Sequence, residues 1–146
     1  MAAAISAYRG ALEVYTREQL PQKWAMTQGN LANALRNQAV RTEGTKGAEL
    51  LAQAVTAYRS ALEVRTREKL PQEWARIQTI LSVALEEQGL RTEGTKATEL
   101  LGQAVAAFRS CLEVFTTNAF PFYHEQTEKQ LKECERLLTQ AKLQAQ

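Results

Sequence analysis

Few side chains in this chain of 146 residues have the type and spacing that chemistry requires: one histidine, His124, two cysteines, Cys111 and Cys134, and a turn, RTEGTK, that occurs at 41–46 and again at 91–96. A catalytic histidine works with a nucleophile or carboxylate at a recognisable spacing, and His124 has none. Two cysteines and one histidine fall short of the four ligands of a structural zinc site, and they are too few for a disulfide scaffold. The two thiols could approach one another across neighbouring helices; in a reducing compartment they remain buried thiols. The glycine and Lys46 or Lys96 of the turn suggest anion binding, but the preceding strand and the spacing of a phosphate loop are missing. It reads as a hairpin turn. No GxSxG or HExxH motif is present. The expectation is a protein that is not an enzyme and takes no cofactor or metal.

Composition narrows the partners. Lys and Arg number 18 against 16 Asp and Glu, a formal charge of +2, with no dense basic stripe for a nucleic acid. No apolar run approaches the roughly 18 residues of a membrane span, and Arg9 interrupts the opening segment too early for a signal-peptide core. A soluble, cytoplasmic protein is expected, with neither nucleic acid nor membrane as partner. A chain of this length suits one domain, which buries roughly two-thirds of its unfolded surface.

The elements that must position any site repeat with a period of 50. AYRGALEVYTREQLPQKWA from Ala7 returns as AYRSALEVRTREKLPQEWA from Ala57 and, degraded, as AFRSCLEVFTTNAFPFYHE from Ala107. Residues 7–56 and 57–106 align without a gap and agree at 32 of 50 positions. Each period holds two helical patterns. Trp24, Gln28, Leu31, Leu35 and Gln38 recur at spacings of three and four behind Pro21, which a first helical turn accepts. After the 41–47 turn, where Gly44 supplies the chain reversal and Thr45 or Thr95 is expected to cap, a second helix of about 22 residues runs to the next Pro. No segment alternates as a strand would. The chain therefore reads as a half repeat (1–20), repeats 21–70 and 71–120, and a terminal capping helix (121–146). Together these make a single all-α domain of about six helices, an α-solenoid of antiparallel hairpins.

These residues resemble the tetratricopeptide repeat (TPR) family. The likeness rests on LANAL in the first helix (Leu31, Ala32, Leu35; again Leu81, Ser82, Leu85) and AxxxYxxAL in the second (Ala54, Tyr58, Ala61, Leu62; again Ala104, Phe108, Cys111, Leu112). The usual repeat of that family has 34 residues. The longer repeat here looks like bacterial TPR arrays that accompany caspase-like or other signalling modules, and the family's glycine in the first helix is Ala32 or Ser82. The resemblance implies close helix pairing through small residues. It also implies a non-catalytic scaffold whose first helices line a concave groove for a peptide or partner helix.

The two full copies also supply a comparison. In the first helix the shared positions follow a helical stripe, while Met26, Gly29, Asn30, Asn33, Arg36 and Asn37 differ from Arg76, Thr79, Ile80, Val83, Glu86 and Glu87. In the second helix the disagreements are few and lie chiefly on a narrow line at 48, 52, 56 and 60. The candidate groove residues are Asn30, Asn33, Arg36, Asn37, Arg76, Thr79, Ile80 and Val83. Asn offers donor and acceptor to a peptide backbone, Arg holds a carboxylate, and Ile80 and Val83 suit an apolar side chain. Drift of a solvated face after duplication is the alternative. Arg9, Glu13 and Arg17, with Arg59, Glu63 and Arg67, read as a surface ion-pair ladder along the second helices; Trp24 and Trp74 read as core staples beside Leu20 and Leu70. In the third copy Lys132 and Glu135 replace small and apolar residues, leaving Leu131, Cys134, Leu137 and Leu138 as an inner face. At the other end Met1 falls inside a second-helix pattern whose partner is missing. Ile5, Tyr8 and Leu12 are then expected to keep an uncovered apolar side for a homodimer or for the rest of a longer signalling protein.

Overall fold

The computed structural model describes residues 2–145; Met1 and Gln146, at the ends of the expected half repeat and capping helix, lie outside them. The described residues form six helices and no strand: α1 (Ala2–Val14), α2 (Pro21–Val40), α3 (Gly44–Val64), α4 (Pro71–Leu90), α5 (Gly94–Leu112) and α6 (Pro121–Gln144). The expected all-α class and helix number are present. The chain divides into two compact units, Met1–Leu70 and Pro71–Gln146, and the division falls on the repeat boundary at Pro71. Within the first unit α1 packs on α2 and α2 on α3; within the second, α4 packs on α5 and α5 on α6.

Local chemistry sets the helix boundaries. Before α2, α4 and α6 a threonine closes a turn. The Leu20, Leu70 and Phe120 amides each donate to the carbonyl of Thr16, Thr66 or Thr116 at 2.9 Å, and the Thr16 and Thr116 hydroxyls accept from Gln19 and Ala119 amides at 3.3 Å. Proline follows at the first helical position, where a missing N–H costs no hydrogen bond. At the far ends of α2 and α4 the Thr42 and Thr92 hydroxyls donate to the Gln38 and Gln88 carbonyls at 2.8 and 2.7 Å. Gly44 and Gly94 then sit at φ +70°, a left-handed conformation that costs a side chain with a Cβ about 1–2 kcal/mol. The expected cap is therefore corrected. Thr45 and Thr95 lie inside the first turns of α3 and α5, the N-caps Glu43 and Glu93 make no side-chain cap bond, and the hydroxyls that act are those of Thr42 and Thr92.

The hairpin cores are built from small residues opposite large ones. Ala32 lies among buried α2 residues Leu31 and Leu35, and α3 answers with Leu51, Ala54, Tyr58 and Ala61. In the second unit Leu81, Ser82 and Leu85 meet Leu101, Ala104, Phe108 and Cys111. The contacts run from Gly89 beside Leu101 and the Ala97 carbonyl, near the turn, out to Gln78 with Ser110, as an antiparallel pair requires. At Gly89 a Cβ would stand 2.9 Å from Leu101 Cγ, and the equivalent pair of small residues in unit one exchanges its methyl groups: Ala39 and Gly47 there, Gly89 and Ala97 here.

Replacing Gly44 or Gly94 by Ala is expected to destabilise its unit by about 1–2 kcal/mol, although a Cβ would meet no atom within 4 Å at either site. Chemical denaturation of both variants measures this; an unchanged midpoint would show that the left-handed turn is not required.

Candidate functional site

The structure distributes the eight candidate groove residues over three environments. Asn33 and Thr79 turn toward the second helices. The Tyr58 hydroxyl donates to Asn33 Oδ1 at 2.6 Å; the Thr79 hydroxyl donates to the Ala75 carbonyl at 2.8 Å and lies 3.3 Å from the Cys111 sulfur. Arg36 is half-buried and engaged. Asn30, Ile80 and Val83 are half-buried, while Asn37, Arg76 and the neighbouring Met26 are exposed.

These placements explain part of the divergence between copies as packing. Where unit one pairs Tyr58 with Asn33, unit two has Phe108, which needs no acceptor, and Val83, which offers none. A buried phenol keeps a partner because an unmade hydrogen bond is costly. Val83, odd as a solvent-facing choice, is the apolar half of a matched exchange. Gly29 and Ala61 likewise become Thr79 and Cys111, a larger and more polar pair. Sequence reasoning saw each position change; which changes belong together depends on contacts between helices 25 or 32 residues apart. Four of the differing positions remain outside any such exchange: Met26, Asn30, Arg36 and Asn37 in α2, with Arg76, Ile80, Glu86 and Glu87 in α4; 26 and 30, like 76 and 80, lie about one turn apart.

Glu86, which replaces Arg36, faces α6. Burial, and then the carboxylates of Glu133 and Glu87, push its carboxyl above the usual range, offset in part by a hydrogen bond with Cys134. Burial is also the main cause that pushes the Cys134 thiol up to about 12 and the Cys111 thiol up to about 11. Both remain neutral thiols, and they face different seams: Cys111 points to the Ala75 carbonyl at 3.7 Å and Cys134 to the Leu101 carbonyl at 3.8 Å. Leu101 and Cys111 are ten residues apart on α5, about 15 Å. The approach of the two thiols that the sequence allows does not occur.

The remaining candidates serve packing. The His124 ring donates through Nδ1 to the Phe115 carbonyl at 3.0 Å, and its Nε2 lies 3.0 Å from Glu128. Hydrogen bonding from Lys132 and its charge, with a smaller contribution from His124, hold the Glu128 carboxyl below its usual range. Trp74 packs on Ala75, Cys111 and Phe115, as a core staple would, and the Arg17 guanidinium lies over the Trp24 ring at 5.6 Å. Two arginines of the expected ladder, Arg9 on α1 and Arg17 in the turn after it, reach α3. Arg17 pairs with Glu63 at 2.6 Å and Arg9 donates to Gln53 at 2.9 Å. At the opening helix Ile5 is buried in contrast to its expected exposure, because α1 packs on α2; Tyr8 and Leu12 are half-buried. In α6 the expected inner face holds: Leu131 and Cys134 are buried, with Thr127 added.

A cavity of about 470 Å3 in the second unit lies between the α4–α5 turn and the end of α6, lined by Thr92, Glu93, Leu101, Leu137 and Gln140 among others, and includes none of the eight candidate groove residues. Among the described residues no group of three or more His, Cys, Asp or Glu could hold a metal ion, and no helix is long and apolar enough to cross a membrane. No protein-family model, curated protein or solved structure matches this chain.

Two outcomes test this picture. Asn33→Val is expected to cost about 1 kcal/mol in the native background and little in a Tyr58→Phe background, a coupling that a double-mutant cycle by denaturation reads directly. Because the raised carboxyl of Glu86 binds its proton more tightly in the folded state, its stabilising effect is lost as pH rises. Glu86→Gln should therefore raise the melting temperature at pH 7 and have almost no effect near pH 4, which a pH series of thermal melts checks.

Proposed function

We propose that the chain is a non-catalytic, cytoplasmic protein-binding module of the TPR type, and that each unit recognises an extended peptide or a helix through its first-helix face. What supports this is a part of the divergence that no packing exchange accounts for. Positions 26 and 30, and 76 and 80, lie on one helical line four apart. Met26 is 48% exposed, Arg76 is exposed, and Asn30 and Ile80 are half-buried. A face that only drifts in water has little reason to place Ile80 beside Arg76. On α4, Arg76 would take a carboxylate through its planar fork and Ile80 an apolar side chain one turn further on. On α2, the Asn30 amide would meet a peptide backbone as donor and acceptor, with the adaptable Met26 thioether beside it. Arg36, Asn37, Thr79 and Val83 would flank these contacts, with Asn33 holding Tyr58. Catalysis has no support, since His124 and both cysteines are engaged in packing contacts.

The test is a peptide-display selection on the full chain, followed by affinity measurements with Arg76→Glu, Ile80→Asp and Asn30→Asp variants whose helicity is unchanged. At least one variant should weaken a selected peptide tenfold or more. Peptides that bind all three variants as tightly as the native chain would overturn the assignment.

A further inference from the structure

The turn before α6 differs in kind from its two counterparts. Segments 14–24 and 64–74 hold three and five residues of the Asp, Glu, Lys and Arg types; segment 114–124 holds none. Thr117, Asn118 and Ala119 replace Arg17, Glu18 and Gln19 of the first copy, and Phe122 and Tyr123 replace Gln22 and Lys23, or Gln72 and Glu73. Aromatic side chains have taken surface positions where the charge around them is removed. The exposure is a property of the position, since Gln22, Lys23 and Gln72 are exposed as well, although α3 follows α2 and both α5 and α6 follow α4.

The rings are held from beneath. Phe115, 3% exposed, packs with Ala75 and Cys111 in the core of the second unit, with Trp74 and Phe120 against them. Tyr123 stacks on Phe115 at 5.0 Å between ring centroids, lies 6.4 Å from Phe120 and meets Phe122 edge to face at 5.7 Å. Packing explains Tyr123, which covers Phe115. It does not explain Phe122, an apolar ring 64% exposed where both other copies carry glutamine.

Size and charge together select the partner. With Phe122 64% and Tyr123 45% exposed, the two rings offer roughly 200 Å2, well short of the roughly 800 Å2 that each chain buries in a stable dimer. The footprint suits a short segment better than a second copy. The nearest charges in sequence on either side are Glu113 and Glu125, both acidic, which disfavours an anionic lipid surface. Uncharged, preformed aromatic faces suit a polyproline II segment, which is extended before it binds and whose carbonyls have no internal hydrogen bond. The Tyr123 hydroxyl can donate to one of those carbonyls.

We propose that Phe122 and Tyr123, in the first turn of α6, dock a short proline-rich segment of another protein in the polyproline II conformation, flanked by basic residues. This surface is separate from the first-helix faces of α2 and α4 and does not depend on their binding a peptide. Rings already fixed on Phe115 keep the ordering cost of such a contact low.

The probe is a fluorescently labelled decaproline peptide with a lysine at each end, titrated into the full chain and followed by anisotropy. Saturable binding is expected, at least tenfold tighter than for a glycine–serine peptide of the same length and charge. Phe122→Gln restores the residue of the other two copies at an exposed position, so the thermal melt should be unchanged while binding weakens tenfold or more. Tyr123→Phe should weaken binding severalfold, because the ring stays and the donor is lost. Absence of saturable binding, equal binding of the two peptides, or indifference to Phe122→Gln would each overturn the proposal, and an unchanged affinity in Tyr123→Phe would overturn the part of the hydroxyl in it. So would a different occupant: a dimer in sedimentation that Phe122→Gln dissociates, or co-sedimentation with phosphatidylcholine vesicles that Phe122→Gln abolishes.

Discussion

Two helices of a hairpin lie in contact over twenty residues only if bulk on one side of the seam is met by its absence on the other, and if every polar atom taken into the seam finds a partner there. That double condition governs both units. Ala32 or Ser82 in the first helix, and Ala54 and Ala61 or Ala104 and Cys111 in the second, are almost wholly buried and set the spacing. The large side chains Leu35, Leu51 and Tyr58, or Leu85, Leu101 and Phe108, then fill what the small ones leave. At Gly89 the condition is tight enough that the absence of a single methyl is matched by the presence of another at Ala97.

The same condition changes how divergence between copies is interpreted. A position that differs looks free when taken singly, yet Asn33 is bonded to Tyr58 in one unit, and Val83 and Phe108 replace both in the other. Once the exchanges that keep the seam filled and satisfied are removed, fewer positions remain to be explained by an outside partner. Met26, Asn30, Arg36 and Asn37, with Arg76, Ile80, Glu86 and Glu87, are what is left of that stripe, and the proposed recognition surface centres on the first two positions of each set.

Electrostatics plays a subordinate part. The cross-helix pair Arg17–Glu63 and the α5–α6 pair Arg109–Glu135 are largely exposed, the kind of contact that contributes at most about 1 kcal/mol. Where charge is taken toward the interior, at Glu86, it works against its surroundings, and the neutral Cys134 thiol sits beside it. The third copy handles its altered face differently, with Lys132 and His124 on either side of Glu128.

The sequence by itself determined the period, the helical class, the number of helices and nearly all their boundaries. These follow from short-range physics: the spacing of apolar residues, prolines that only a first turn accepts, and glycines that only a left-handed turn requires. It also determined that Trp74 and the small residues belong to packing. The tertiary structure decided what depends on pairs far apart in the chain. Thr42 rather than Thr45 holds the turn, Arg17 pairs with Glu63 of α3, the two thiols face separate seams, Ile5 is covered, and Asn33 and Thr79 bond to residues of the second helices. A stripe of differing residues on one helix shows only that change was tolerated. Contact with the opposite helix shows what compensated for it, and that information lies in no single segment of the sequence.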